Sequence, residues 1–219
     1  SRNLTSKNLT NITSQSFMPT EKNLISKSIE LSKFVESNCS LYLDLAYENL
    51  AYLLAFTDNL SESINYYKKL VEIYSDKESD FYNPNKQLIN IYNVAVRKSQ
   101  INDQNSAIDY YHTAYKFYEK NKFNDDNSIK IYTYSLSNLG GIFFKKNDFK
   151  KSYNYYKKAY EIGIDDVLTI TNLGYVSLRQ SNFEEAEKYL DKSIEMNENI
   201  VDPVLYKSQL LHLYGKYLE

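Results

Sequence analysis

The chain has 219 residues, 26 basic and 28 acidic side chains, a net charge of -2 and 42% apolar content. That near balance argues against a dedicated nucleic-acid surface within this segment, and no apolar run reaches the roughly 18 residues needed to cross a membrane as a helix. Five glycines and three prolines suit an all-helical chain, and the single cysteine, Cys39, has no intramolecular disulfide partner, which points to a reducing, cytoplasmic setting.

Residues 1–18 are rich in Ser, Thr and Asn and lack periodicity, so they read as an extended or mobile lead-in. Pro19 and Thr20 introduce a helix over 21–36, with Leu24, Ile25, Ile29, Leu31, Phe34 and Val35 as its apolar side. It is expected to pack on the first full repeat as an N-terminal cap, or to be half of an earlier repeat. Residues 19–219 then read as one domain of four helical hairpins, at about 44–76, 85–121, 129–162 and 167–200. In the first, the inner positions are Tyr47, Leu50, Ala51, Leu54, Ser63, Tyr67 and Leu70. Asn83-Pro84 breaks one helix and starts the next. The second hairpin is less regular, because Lys98 falls where an apolar residue is expected. In the fourth, Ile170, Leu173 and Val176 lie at helical spacing, and Gly174 leaves a bare spot expected to face Ala186. Ser181-Asn182 makes the turn, with Asn182 as N-cap and Glu185 completing a capping box. Asp202-Pro203 opens a last helix over 203–214. Gly215 to Glu219 then occupy the register of a further second helix, so that the terminus reads as a cap or as a repeat cut short.

The hairpins share a register. Asn138-Leu139-Gly140 and Asn172-Leu173-Gly174 match, with weaker copies at Asn49-Leu50-Ala51 and Asn93-Val94-Ala95. Each is followed at one distance by a capping residue (Asn59, Asp103, Asp148, Asn182), then a small one (Ser63, Ala107, Ser152, Ala186), then Tyr67, Tyr111, Tyr156 or Leu190. The lead asparagines are 44, 45 and 34 residues apart (49 to 93, 93 to 138, 138 to 172). Such self-similarity is the mark of a solenoid. From about Asp44 onward the chain resembles the tetratricopeptide repeat family, although Tyr47, Ile91, Leu136 and Ile170 replace the family's usual Trp and the closing Pro is missing. The resemblance implies an all-α, right-handed superhelical solenoid whose first helices line a concave groove. The lengthened first two repeats look like those of the peptide-responsive bacterial regulators of the Rap, PlcR and Rgg group. That likeness implies a sensor domain whose DNA-binding neighbour lies elsewhere.

No catalytic constellation is apparent. His112 and His212 lie on different helices without ligand-spaced carboxylates or thiols, Cys39 has no activating neighbour, and Gly140-Gly141 sits inside a helix rather than in a phosphate-binding loop. No enzyme activity, metal or cofactor is expected. The pattern with functional content is the asparagine ladder, Asn49, Asn93, Asn138 and Asn172. Each precedes a buried Leu or Val and so points toward the groove, where an amide can donate to and accept from any peptide backbone. Tyr52, Val96, Gly141 and Tyr175 follow three residues later, and Glu48, Tyr92, Ser137 and Thr171 come just before. Lys145 and Arg179 follow seven residues after the third and fourth asparagines, either to hold a carboxylate or simply as cations at helix C-termini. The candidate peptide site is therefore Asn49, Asn93, Asn138, Asn172, Tyr52, Tyr92, Tyr175, Lys145 and Arg179. The tyrosine pairs of the second helices (Tyr66-Tyr67, Tyr110-Tyr111, Tyr155-Tyr156) read as packing, one ring in the core and one at its edge. The expected partner is a peptide or protein segment, with no nucleic acid and no membrane. The competing reading is an adaptor that docks folded partners or forms a homodimer through an uncapped end.

Overall fold

The structure, a computed structural model, describes residues 19–164, 166–197 and 201–217; the expected lead-in over 1–18 lies outside them. The described residues are helical throughout, without a strand, and the fold class is all-α. The chain divides into two compact units, residues 1–103 and 104–219.

In the first unit, α1 (Pro19–Asn38) packs on α2 (Leu43–Phe56), α2 forms a hairpin with α3 (Leu60–Ser75), and α3 packs on α4 (Pro84–Gln100). Leu50, Ala51, Leu70, Leu88, Val94 and Ala95 are completely buried between these helices. Pro84 takes the first turn of α4, where its missing N–H costs nothing, and Asn83 accepts the Lys86 amide as N-cap. Lys98, the cation inside the apolar stripe, is held by Asp103 at 2.9 Å.

In the second unit, α5 (Gln104–Asn121) packs on α6 (Asp126–Lys145), which pairs with α7 (Phe149–Glu161). Next, α8 (Val167–Arg179) pairs with α9 (Phe183–Met196), and α10 (Val201–Tyr217) lies against both. Tyr156, Ile170, Leu173, Val176 and Tyr189 form the core between the two hairpins.

The hairpin turns repeat one geometry. Asp58, Asn102, Asn147 and Ser181 all have φ near +60°, and in the last three turns the next residue donates its N–H five positions back, as in Asp148 to the Phe143 carbonyl at 3.0 Å. This closes those three first helices by a Schellman-type cap. Asn and Asp tolerate the left-handed conformation best, which favours the observed residues at three of the four sites. The residue after it caps the second helix: Asn59 accepts from the Glu62 amide and Asp148 from the Lys151 amide. Asn182 departs from the expected capping box. It stands at the N-cap but accepts no backbone N–H, and its amide donates instead to Glu185 at 2.7 Å. Glu185 is simultaneously taken by the Tyr153 hydroxyl of α7 at 2.6 Å.

Close helix approach depends on small residues. Ser63 and Ser152 are completely buried and donate to the first-helix carbonyls of Ala51 (2.6 Å) and Gly140 (2.8 Å), so serine is satisfied where alanine stands in the other two hairpins. Gly174 does not principally face Ala186. The atoms nearest a Cβ placed there are those of Leu190, at 2.9 Å, because the larger residue one turn further along α9 fills the gap.

Four groups set an expected acid response of the second unit. Hydrogen bonds from Ser128 hold Asp125 low, those from Lys151 hold Asp148 low, and the Lys158 ammonium does the same for Glu119. Burial lowers His112, whose ring nitrogens meet the hydroxyls of Tyr115 at 3.3 Å and Tyr155 at 3.1 Å. In every case the unfolded chain binds protons more readily, so stability falls as pH falls. His112 contributes from about pH 6.5 downward and the carboxylates below about pH 4. Thermal melts between pH 7 and 3 should show a shallow decline followed by a steep one. An unchanged midpoint down to pH 3 would contradict these assignments.

Candidate functional site

The four asparagines stand one residue before Leu50, Val94, Leu139 and Leu173, all of them completely buried. A helix turns about 100° per residue, so each asparagine faces away from its hairpin core. Asn49 is exposed, and Asn93, Asn138 and Asn172 are half-buried. Within each unit, neighbouring first helices are tied together beside the asparagines. In the first, Lys86 of α4 reaches Glu48 of α2 at 3.0 Å and the Tyr74 hydroxyl at 3.2 Å. In the second, the Ser137 and Thr169 hydroxyls meet at 2.6 Å between α6 and α8. These links fix Asn49 near Asn93's helix, and Asn138 near that of Asn172.

The aromatic neighbours have different environments. Tyr52 is exposed and meets the edge of Phe56 with ring centroids 4.7 Å apart. Tyr92 is half-buried. Tyr175 is stacked on Tyr206 of α10 at 4.0 Å, with Phe144 at 5.1 Å. Its ring is therefore a wall already built rather than a loose side chain. The cations differ likewise. Lys145 is exposed at the end of α6, while the Arg179 guanidinium lies 5.0 Å over the Phe149 ring. That stacking holds the charge in place.

Two features beside this surface escaped the sequence. An open recess of about 290 Å³ between α1 and α2 is lined by Leu31, Val35, Cys39, Tyr42, Leu45 and Asn49. Its signal is the apolar side of the first helix, which reads as capping surface rather than as the wall of a recess. In the second unit, Phe144 and Tyr206 join Tyr175. Phe144 follows Asn138 by six residues, outside the three- and seven-residue offsets that mark the other candidates.

Models of the tetratricopeptide repeat match residues 45–77, 133–162 and 168–203. The chain carries tetratricopeptide repeats. They make it a protein-interaction domain. Among solved structures, BtubC from P. vanneervenii is similar over 92% of this chain and 86% of its own, at 15% identity and a TM-score of 0.69. The apo form of RapI matches 90% of this chain at 17% identity with a TM-score of 0.70. The apo quorum sensor NprR of B. thuringiensis also matches 90%, at 17% identity and a TM-score of 0.65. The chain spans 55% of RapI and 56% of NprR. At these identities the likeness is one of fold. No curated protein sequence matches the chain. No helix of the described residues is long and apolar enough to cross a membrane.

Proposed function

We propose that the first-helix surface of these repeats binds an extended peptide or partner segment through its main chain. The observation that carries the reading is the recurrence of an amide at one helical register, Asn49, Asn93, Asn138 and Asn172, each turned away from a completely buried neighbour. An asparagine offers a donor and an acceptor together, which matches the N–H and C=O of an extended strand whatever its sequence. Sequence choice then falls to Tyr52 and the apolar recess in the first unit. In the second it falls to Tyr175, Lys145 and Arg179, the last two suiting a carboxylate. NprR, a quorum sensor, has the same fold over about half its length. A sensor role, with a DNA-binding partner domain outside this segment, is the regulatory form of the proposal.

The test is Asn138→Ala combined with Asn172→Ala, with decapeptides selected from a random displayed library as probe. Two lost bonds at about 0.5–1.5 kcal/mol each should weaken binding roughly 5- to 150-fold, while the thermal midpoint stays near that of the parent. Retained affinity would mean that the chain recognises its partners by another surface.

A further inference from the structure

The second unit contains a polar group that neither the repeat pattern nor the asparagine ladder uses. Tyr156 of α7 is only 5% exposed. Its ring passes flat beneath α6, with ring atoms 2.9 to 3.0 Å from where a Gly140 Cβ would be, and its hydroxyl comes within 3.3 Å of the corresponding point at Gly141. Gly141 follows Asn138 by three residues and so shares its helix face. The hydroxyl thus passes the core and ends on the face that carries Asn138 and Lys145, at a gap where the first and fourth repeats have tyrosine. Two glycines in succession make this window: the first admits the ring, the second leaves its oxygen uncovered.

The hydroxyl has no hydrogen-bond partner among the described residues. Its register-mate Tyr67 in the first unit has the Arg97 guanidinium in its neighbourhood, and the fourth repeat has Leu190, which needs none. A polar oxygen on a nearly buried side chain is normally satisfied. Tyr156 is instead aimed at the groove.

We propose that the Tyr156 hydroxyl, at the Gly140–Gly141 window, donates a hydrogen bond to an amide carbonyl of the peptide held by Asn138 and Asn172. This deepens the groove reading and rests on it. Burial, with Tyr206 and Asp166 adding to it, raises the tyrosine's pKa, so the group stays protonated and is a donor at any physiological pH. The negative charge of Asp166 in its neighbourhood favours a neutral carbonyl over a carboxylate at this point. The carbonyl belongs either to the peptide main chain, which the absence of a Gly141 side chain lets approach closely, or to an Asn or Gln side chain reaching into the gap.

The variants that test this are Tyr156→Phe, which keeps the ring over Gly140, and Gly141→Ala, whose Cβ would stand 3.3 Å from the hydroxyl and cover it. The probe is again decapeptides selected against the whole chain. Tyr156→Phe should weaken binding roughly 3- to 10-fold without lowering the thermal midpoint, and Gly141→Ala should add little on the Phe background. Replacing each Asn and Gln of a selected peptide by Ala identifies the carbonyl: an unchanged Tyr156→Phe effect assigns the main chain, a vanished one assigns that side chain. If Asn138→Ala/Asn172→Ala weakens binding but Tyr156→Phe does not, the hydroxyl is a bystander and the groove reading survives. If neither weakens it, or if no peptide is selected, both readings fall.

Discussion

Gly140→Val is expected to destabilise the second unit by about 3 kcal/mol, the upper part of the range for overpacking a filled core. A Cβ at this position would lie 2.9 Å from two atoms of the Tyr156 ring, and valine adds two methyls beyond it. The ring cannot swing clear, because Ile170, Leu173, Val176 and Tyr189 surround it. The intrinsic helix preference for valine over glycine is only a few tenths of a kcal/mol and does not offset this. Gly215→Ala is the control. It lies in a helix too, but nothing stands within 4 Å of its Cβ position, so the expected change is neutral to about 1 kcal/mol stabilising. Urea titration of both variants separates steric cost from backbone preference. Equal midpoints would mean that α6 and α7 can move apart without loss, and the close approach would then not be what holds this hairpin.

The hairpins are legible in the sequence because their register is set by local rules: a small residue where helices cross, a cap after a left-handed turn, and apolar spacing of three and four. Asn59 and Asp148 cap as their spacing demands. Asn182 has the same spacing and donates to Glu185 as Asn59 does to Glu62, yet it accepts no backbone N–H, and Glu185 also receives a tyrosine from the neighbouring hairpin. That tyrosine comes from 32 residues away, and no local pattern encodes the contact. The tyrosines divide in the same way. Tyr111 and Tyr156 occupy the core as the periodicity requires. Tyr66 shows what periodicity does not convey: its register places it at an edge, but it is buried beside Tyr67, with its hydroxyl on Glu36 of α1 at 2.9 Å. Where a long side chain ends depends on what the next helix offers it. That is also why Tyr156 reads as packing alone, although its oxygen passes through the core to the Gly141 position beside Asn138.

Tyr74 gives the second large expected effect, this time in the first unit. Its ring is 1% exposed between α3 and the helices on either side, and its hydroxyl donates to Glu48 of α2 at 2.6 Å, with Asp44 at 3.3 Å. Lys86 of α4 donates to the same oxygen at 3.2 Å and pairs directly with Glu48 at 3.0 Å. Tyr74→Ala should cost about 3–5 kcal/mol, since it removes a buried ring and leaves a cavity that three helices cannot close together. Tyr74→Phe should cost only about 1 kcal/mol. Glu48, Asp44 and Lys86 are each partly exposed, so they keep one another and gain water when the hydroxyl goes. Chemical denaturation of the two variants tests this, and an alanine variant no less stable than the phenylalanine one would rule out the ring as the source of stability. The network also bears on binding. It joins α2 to α4 beside Asn49 through Lys86, so Lys86→Ala, which removes the direct pair with Glu48 as well as the bond to Tyr74, loosens the alignment of Asn49 with Asn93 while keeping the fold. If the asparagines act together on one peptide, affinity should fall by more than the small stability change alone would produce, because two amides must be held at a fixed spacing to meet successive peptide groups.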